Sequence, residues 1–241
     1  MSKNHSKDKM KFLYLIIFSV FFISCKDQEV KIPVNDNAGP NEIWDNSRIY
    51  VLFKKEGNDT LADLKLGQAI TTTHWLTAVD RRLKLKHLDE AFRKIIKKRH
   101  KKSLHSKEGT HAYFAYLDSL RKKMAFIDFD SLQFMPDYFT SETYFKKYSK
   151  DDKDFTKYHL YFFQKQIILN DTIKLTGLNK KQIIDSINQV IKNEKIDTAN
   201  RLYLNFDSEV YYDRFLDYYT FFKNNPVKKG KLSPKIFIFT P

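Results

Sequence analysis

The sequence predicts an α+β fold in which helices pack on one face of a sheet. Its 241 residues include only six glycines and six prolines, while 14 tyrosines and 21 phenylalanines supply apolar surface for a core. Apolar, β-prone runs alternate along the chain with segments whose apolar residues recur at helical spacing. We therefore expect a two-layer, helix-on-sheet domain in the C-terminal part and a mixed α/β arrangement in the N-terminal part.

The N-terminal region, residues 47–150, is predicted to contain a succession of strands and helices. Strands are expected at 49–53, 111–116 and 124–129, with a short strand or turn at 61–66. Helices are expected at 71–82, 84–100 and 117–123, and a helix with a loop at 137–157. The helix at 84–100 presents its apolar side chains on one face, namely Leu85, Leu88, Phe92, Ile95 and Ile96. A polar stretch at 149–154 marks the predicted boundary.

The C-terminal region, residues 151–241, has the clearest patterns. Strands are expected at 158–169, at 202–206, where alternation predicts a half-buried strand, and at 236–239. One helix is expected at 179–193, with Asn179 and Gln182 in the positions of a capping box, and a second from a Ser208 cap to about residue 224. The side chains expected to face the sheet are Ile183, Ile187 and Val190 on the first helix and Tyr211, Phe215 and Tyr218 on the second.

Residues 156–241 resemble the periplasmic domain of the ExbD/TolR family. The predicted order of hairpin, helix, strand, helix and strand matches that domain. The local likeness lies in 202–207 (LYLNFD), 209–212 (EVYY) and 236–240 (IFIFT). The resemblance implies a module that dimerises and binds partners in the cell envelope. Family members also use a transmembrane helix with an essential aspartate, whereas the apolar stretch 12–23 contains no acid, so the family's proton-driven motor role is not implied.

A short sequence repeat predicts a weak duplication of this unit in the N-terminal region. The triplets Asn58-Asp59-Thr60 and Asn170-Asp171-Thr172 are identical. Each is expected to follow an apolar strand and to precede a helix. The N-terminal region would then repeat part of the ExbD/TolR-like unit.

The first 24 residues have the pattern of a secretory signal. Four lysines lie within the first eleven residues, and the apolar stretch 12–23 that follows is shorter than the ~20 residues that span a bilayer. The stretch ends at Ser24-Cys25, which resembles the lipobox of bacterial lipoproteins. Cys25 is the single cysteine, so it has no internal disulfide partner, and we predict that it is the lipidation site. The alternative is a stray thiol in a transmembrane anchor.

Residues 25–46 are predicted to be a lipid-anchored tether, because prolines, glycine and polar residues dominate after the cysteine. Residues 26–29 (KDQE) resemble the charged export signal of surface lipoproteins in Bacteroidetes. This likeness implies an outer-membrane location in the cell envelope and leaves open whether the protein faces the periplasm or the surface.

The charge of the chain bears on its partners. The formal charge is +14, and removal of the signal, with four lysines and one aspartate, leaves +11. An envelope protein or an anionic envelope polymer is the expected partner, and export argues against nucleic acid. The densest basic run is Lys97, Lys98, Arg99, Lys101 and Lys102. It is predicted either to bind a partner or simply to complement the C-terminal dipole of its helix.

Motifs for catalysis and cofactor binding are absent from the sequence, so no catalytic, cofactor or metal site is predicted. His100, His105 and His111 are close in sequence, but their spacings fit no standard metal pattern. Asp128 and Asp130 form a candidate carboxylate pair on a strand, and Asp213 and Asp217 are expected on a solvated helix face. A non-catalytic, partner-binding lipoprotein is the first hypothesis, and a surface hydrolase or a glycan- or peptide-binding lipoprotein is the alternative.

Overall fold

A computed structural model describes residues 29–67, 69–101, 108–135, 154–194 and 198–240. These residues form two mixed sheets and three helices, which confirms the predicted mixed α/β composition. The strands are β1 (Val34–Asn35), β2 (Asn46–Glu56), β3 (Asp59–Lys65), β4 (His74–Val79), β5 (Ala112–Asp118), β6 (Lys123–Asp128), β7 (Gln133–Met135), β8 (Phe155–Phe162), β9 (Ile167–Leu169), β10 (Ile173–Lys174), β11 (Ala199–Asp207) and β12 (Gly230–Phe239). The helices are α1 (Leu85–Arg99), α2 (Lys180–Asn193) and α3 (Tyr212–Asn224).

The first sheet has the strand order β3-β2-β4-β5-β6. Strands β2, β4 and β5 are parallel, while the hairpin partners β3 and β6 run antiparallel at the two edges. The short strand β1 lies beside the C-terminal end of β5 and parallel to it. Helix α1 connects β4 to β5, as a crossover between parallel strands requires.

The second sheet has the order β10-β9-β8-β11-β12-β7. Strands β8, β11, β12 and β7 are parallel, and β9 and β10 add antiparallel pairs at one edge. Helix α2 leads into β11, and α3 connects β11 to β12. Strand β7 precedes the predicted boundary at 149–154 in the chain but pairs within the second sheet, so the two halves interlock.

The two sheets share one hydrophobic core, to which all three helices contribute buried side chains. The ring of Phe92 on α1 lies 5.6 Å from Phe114 in the first sheet and 4.5 Å from Phe134 in the second. Phe134 in turn lies 5.8 Å from Phe215 on α3. These aromatic contacts join both halves into one apolar interior.

The N-terminal ends of α1 and α3 meet at the junction between the halves. The backbone N of Leu85 donates to Val210 O (2.9 Å), and the backbone N of Tyr212 donates to Leu83 O (2.8 Å). Exchanging partners in this way satisfies amide groups that a helix start otherwise leaves unpaired. The junction is therefore a short antiparallel pairing of two helix-entry loops.

Three local predictions are confirmed. Helix α1 follows the expected bounds, and four members of its predicted stripe are buried. Helix α2 begins with the predicted capping box, in which Gln182 N donates to Asn179 Oδ1 and Asn179 N donates to Gln182 Oε1, each at 2.9 Å. Its stripe residues Ile183 and Ile187 are fully buried.

The predicted helix at 71–82 is wrong, because this segment contains β4. Its side chains are buried on both faces of the sheet, with Trp75, Thr77 and Val79 on the face toward α1 and Ala78 on the other. A parallel strand covered on both faces loses the alternation that distinguishes a strand from a helix.

The expected helix at 117–123 is also wrong, since these residues form the tight β5–β6 hairpin. There Asp118 Oδ1 accepts from the backbone N of Leu120 (2.9 Å) and Arg121 (3.0 Å).

Other C-terminal boundaries differ from expectation. The strand predicted at 158–169 is the hairpin β8–β9, and β11 is buried on both faces rather than half-buried. Helix α3 begins at Tyr212 and not near Ser208. Phe215 is buried as predicted, but Tyr212 and Tyr219 are buried in place of the predicted Tyr211 and Tyr218. Tyr211 is 49% exposed, and the buried positions are Tyr212, Phe215, Leu216, Tyr219, Thr220 and Phe222. The elements predicted at 137–157 fall mostly outside the described residues.

Candidate functional site

Two parts of the N-terminal segment 29–45, namely residues 30–32 and 41–45, pack on the face of the first sheet that is opposite α1, which we call the outer face. Between them β1 pairs within the sheet. The backbone N of Arg81 donates to Lys31 O (2.7 Å), that of Leu117 to Pro33 O (2.9 Å) and that of Phe126 to Pro40 O (3.0 Å). A separate small apolar cluster forms beneath it, with Ala78, Ala115 and Phe126 at its centre and Val30, Ile32 and Ile43 packed on them. The described part of the predicted tether is therefore integrated into the fold and is not a free spacer.

A groove of about 400 Å³ lies between this segment and the sheet, and we call it the outer groove. One wall is the segment Asn41, Glu42, Ile43, Trp44, Asp45 and Asn46. The floor and far side consist of Arg48, Tyr50, Leu76, Ala78, Ala115, Met124 and Phe126. Its volume is within the usual range for small-ligand sites. Strands β2, β4, β5 and β6 contribute these side chains because alternate residues of each strand point to the outer face.

Trp44 is the most prominent side chain of the groove. It is 81% exposed, whereas the other tryptophan, Trp75, is fully buried in the core. The wall that carries Trp44 is fixed at both ends, by the bond to Pro40 O and by a bond from the backbone N of His74 to Asp45 O (2.9 Å). Asp45 has a positive φ of 52°, an uncommon conformation for a residue other than glycine. The groove thus presents a large apolar surface on a fixed support.

A histidine–aspartate pair lies on the same outer face, next to the groove. His111 Nδ1 is 2.9 Å from Asp128 Oδ2, and both side chains are partly exposed. The ring of His74 stacks beside that of His111 at 6.2 Å, and Tyr113 packs 5.8 Å from His74. Burial, followed by the carboxylates Asp128 and Asp130, raises the pKa of Tyr113.

The hydrogen bonding of His74 limits what His74 and His111 can bind together. His74 Nδ1 accepts from the backbone N of His111 (3.0 Å), so a neutral His74 carries its proton on Nε2 and has no free lone pair there for a metal. Within the described ranges, no group of three or more histidine, cysteine, aspartate or glutamate side chains is arranged to hold a metal ion. The arrangement favours hydrogen bonding to a ligand through His74 and His111.

The predicted basic run is divided by the fold. Lys97 and Lys101 are exposed, while Lys98 is partly buried. The side chain of Arg99 is only 8% exposed: it binds Asp130 Oδ1 (3.2 Å) and the Thr73 and Thr110 carbonyls and lies 5.4 Å from the Trp75 ring. Arg99 therefore holds the core in place and is not available to a partner. Lys102, His105 and the predicted lipidation site Cys25 lie outside the described residues.

The predicted acidic pairs are separated in a similar way. Asp128 pairs with His111, whereas Asp130 pairs with Arg99, so the two carboxylates serve different partners. Asp217 is not on a fully solvated face, because it pairs with Lys180 at 2.8 Å. Burial raises the pKa of Asp217, although the Lys180 ammonium opposes that shift. Asp213 instead accepts a hydrogen bond from the backbone N of Arg214. His100, from the histidine group, is exposed and apart from this site.

Sequence reasoning missed the outer groove because Trp44 lies in a stretch whose composition predicts a tether. The pair Ile43-Trp44 within that polar stretch was the available signal. The pairing of His111 with Asp128 was also missed, since the two lie on neighbouring strands joined by a hairpin. Comparison of the chain with protein-family models, with curated proteins and with solved structures finds no match.

Proposed function

We propose that this chain is a lipid-anchored, non-catalytic protein of the cell envelope that binds an envelope partner. The observation that carries the proposal is the outer groove, an open surface with an exposed tryptophan on a hydrogen-bonded segment of backbone. Exposed aromatic side chains on a rigid support are typical of interaction sites. The expected outer-membrane location follows from residues 26–29 and Cys25 and forms part of this proposal.

The hydrolase alternative has one observation in its favour, the His111–Asp128 pair. A nucleophilic mechanism would also require a hydroxyl or thiol within hydrogen-bonding reach of the histidine. Among the residues that the structure describes, no serine or threonine side chain hydrogen-bonds to His111 or Asp128. Binding by the groove therefore has the stronger support.

The ExbD/TolR-like unit is proposed to occur twice in the chain. In each half an antiparallel hairpin is followed by a parallel strand, a helix and a further parallel strand, giving the strand orders β3-β2-β4-β5 and β9-β8-β11-β12. The second half has the additional helix α2 between its hairpin and β11, and the described residues of the first half have no counterpart of it. A buried aspartate lies at the end of the strand before the helix in both halves: Asp80 directly follows β4, and Asp207 is the last residue of β11. Each accepts from the backbone N two residues later, Arg82 at 3.0 Å and Glu209 at 2.8 Å. These matched features support an internal duplication.

The junction between the halves supports the same proposal. Leu85 and Tyr212 begin their helices five residues after Asp80 and Asp207, and their reciprocal backbone bonds relate the two halves by a local pseudo-twofold axis. The identical triplets 58–60 and 170–172 do not contribute, because the first lies in the β2–β3 turn and the second in the β9–β10 turn. One chain thus contains the two units that a dimer of such modules would bring together, and a homodimer remains a prediction of the resemblance.

Anchoring is tested by replacing Cys25 with alanine. The expected result is loss of palmitate labelling and release of the protein from membranes, since no thioether-linked lipid can form. Among the described residues, no helix is long and apolar enough to cross a membrane. Labelling that survives in Cys25→Ala would exclude the lipoprotein assignment, and Ser24→Gly is the control that keeps a small residue before the cysteine.

Partner binding through the groove is tested by photo-cross-linking in intact cells. A photoreactive benzoylphenylalanine at position 44 is expected to give discrete covalent adducts, because Trp44 lines the groove and is exposed. The same residue at position 120, where Leu120 is 76% exposed on the β5–β6 turn, should give none of these adducts. Equal adducts from both positions would contradict groove binding. Hydrolysis of a glycan or peptide that His111→Ala abolishes would instead favour the hydrolase.

A further inference from the structure

The charge of the outer groove differs from that of the protein as a whole. The chain carries a formal charge of +14, but the groove contains two carboxylates, Glu42 and Asp45, and one guanidinium, Arg48. The excess positive charge therefore lies elsewhere, and the groove offers little attraction to an anionic polymer. It offers acceptors and a donor side by side, which suits a neutral ligand with many hydroxyl groups, because each hydroxyl both donates and accepts.

The position of the groove on a sheet face also restricts its ligand. A peptide that adds a strand to a sheet gains its affinity from main-chain hydrogen bonds at an open strand edge. The floor strands β2, β4 and β5 are paired on both sides. At the edge strand β6, Phe126 N already donates to Pro40 O, and Asp128 O already accepts from Tyr219 and Lys223. Trp44 instead supplies a flat apolar plate, and the C–H face of a pyranose ring can stack on such a plate.

Resting on the proposed function, which assigns the outer groove to an envelope partner, we propose that this partner is a neutral oligosaccharide or polysaccharide. One pyranose ring stacks on Trp44, and its hydroxyls hydrogen-bond to Glu42 and Arg48. Tyr50 and Phe126 form the apolar floor under the neighbouring sugar. His74 and His111, further along the same face, lie where a longer chain would continue.

The two tryptophans make the test selective. Titration of the purified full-length protein with neutral hexaoses, both α- and β-linked, should change the emission of the exposed Trp44 and leave that of the buried Trp75 unchanged. Trp44→Phe should abolish the spectral change while it keeps a stacking ring. By calorimetry, Trp44→Ala should weaken binding at least about tenfold, and Leu120→Ala should bind like the wild type.

Other outcomes would overturn the proposal in distinguishable ways. Absence of binding to every neutral hexaose, together with discrete adducts from position 44, would exclude the ligand class and leave the proposed function standing. Binding of oligolysine or of an anionic polysaccharide in preference to neutral sugars would assign the groove to that ligand instead. Sugar binding that Trp44→Ala does not weaken would place the sugar outside the groove.

Discussion

Replacement of Tyr212 by alanine is expected to lower the free energy of unfolding by ~3–5 kcal/mol, the usual cost of removing a large aromatic side chain from a core. Tyr212 is fully buried at the first turn of α3. Its ring lies 6.2 Å from Phe92 and 5.8 Å from Phe114, both in the first half of the chain, and 5.8 Å from Phe215 in the second. The substitution would therefore open a cavity where the two halves meet. Urea denaturation followed by circular dichroism measures the effect.

The matched control is Tyr212→Phe. Burial raises the pKa of the Tyr212 hydroxyl well above its usual value, and among the described residues this hydroxyl has no hydrogen-bond partner. Removing an unpaired buried hydroxyl should leave stability unchanged or raise it by about 1 kcal/mol. Both variants should unfold in a single transition, because the halves share one core. A loss below about 1 kcal/mol in Tyr212→Ala would contradict a shared core at this position.

Replacement of Asp80 by asparagine is expected to lower stability at pH 7 by about 2–3 kcal/mol. The buried carboxylate accepts from the backbone N of Lys31 (3.2 Å) and of Arg82 (3.0 Å) and from the Arg82 guanidinium (2.8 and 2.6 Å). It therefore joins the N-terminal segment, the end of β4 and the loop into α1. The side-chain oxygen of asparagine can accept only some of these hydrogen bonds. Its NH2 group would face the donors of Lys31 or Arg82.

The same substitution should change how stability depends on pH. Burial alone would raise the pKa of Asp80, but the hydrogen bonds from Arg82 and from the two backbone amides hold that pKa below the ordinary 3.8. A carboxyl whose pKa is lower in the folded state stabilises the fold above pH 3.8, and that stabilisation disappears as the pH falls through the folded value. Wild type and Asp80→Asn should therefore converge in stability at acid pH.

Denaturation curves at several pH values from 7 down to about 2 test this expectation. Glu90→Gln is the control, because Glu90 is a solvent-exposed helix residue that pairs with the likewise exposed Lys94. Its loss should change stability little at any pH. If Asp80→Asn and the wild type differ by a constant amount at every pH, the difference arises from packing rather than from the carboxylate charge.

Helical periodicity and capping made parts of the fold predictable. The stripe of α1, the stripe of α2 and the Asn179–Gln182 box depend on residues within a few positions of each other, so the local sequence contains the information. A helix was predicted in the region of α3, but aromatic residues occur on several of its faces, so its buried positions were not predictable from spacing alone. The choice between Tyr211 and Tyr212 as the buried position was decided by the core of the other half.

The sequence by itself determined the mixed α/β class, the helices α1 and α2 and the C-terminal part of β12, because each follows from local spacing and turn chemistry. Only the tertiary structure decided that 74–79 is a strand, since its covering on both faces comes from α1 and from the N-terminal segment. The same holds for the outer groove and for the contact of His111 with Asp128. Their residues come from separate segments, and no local pattern records which of those segments will meet.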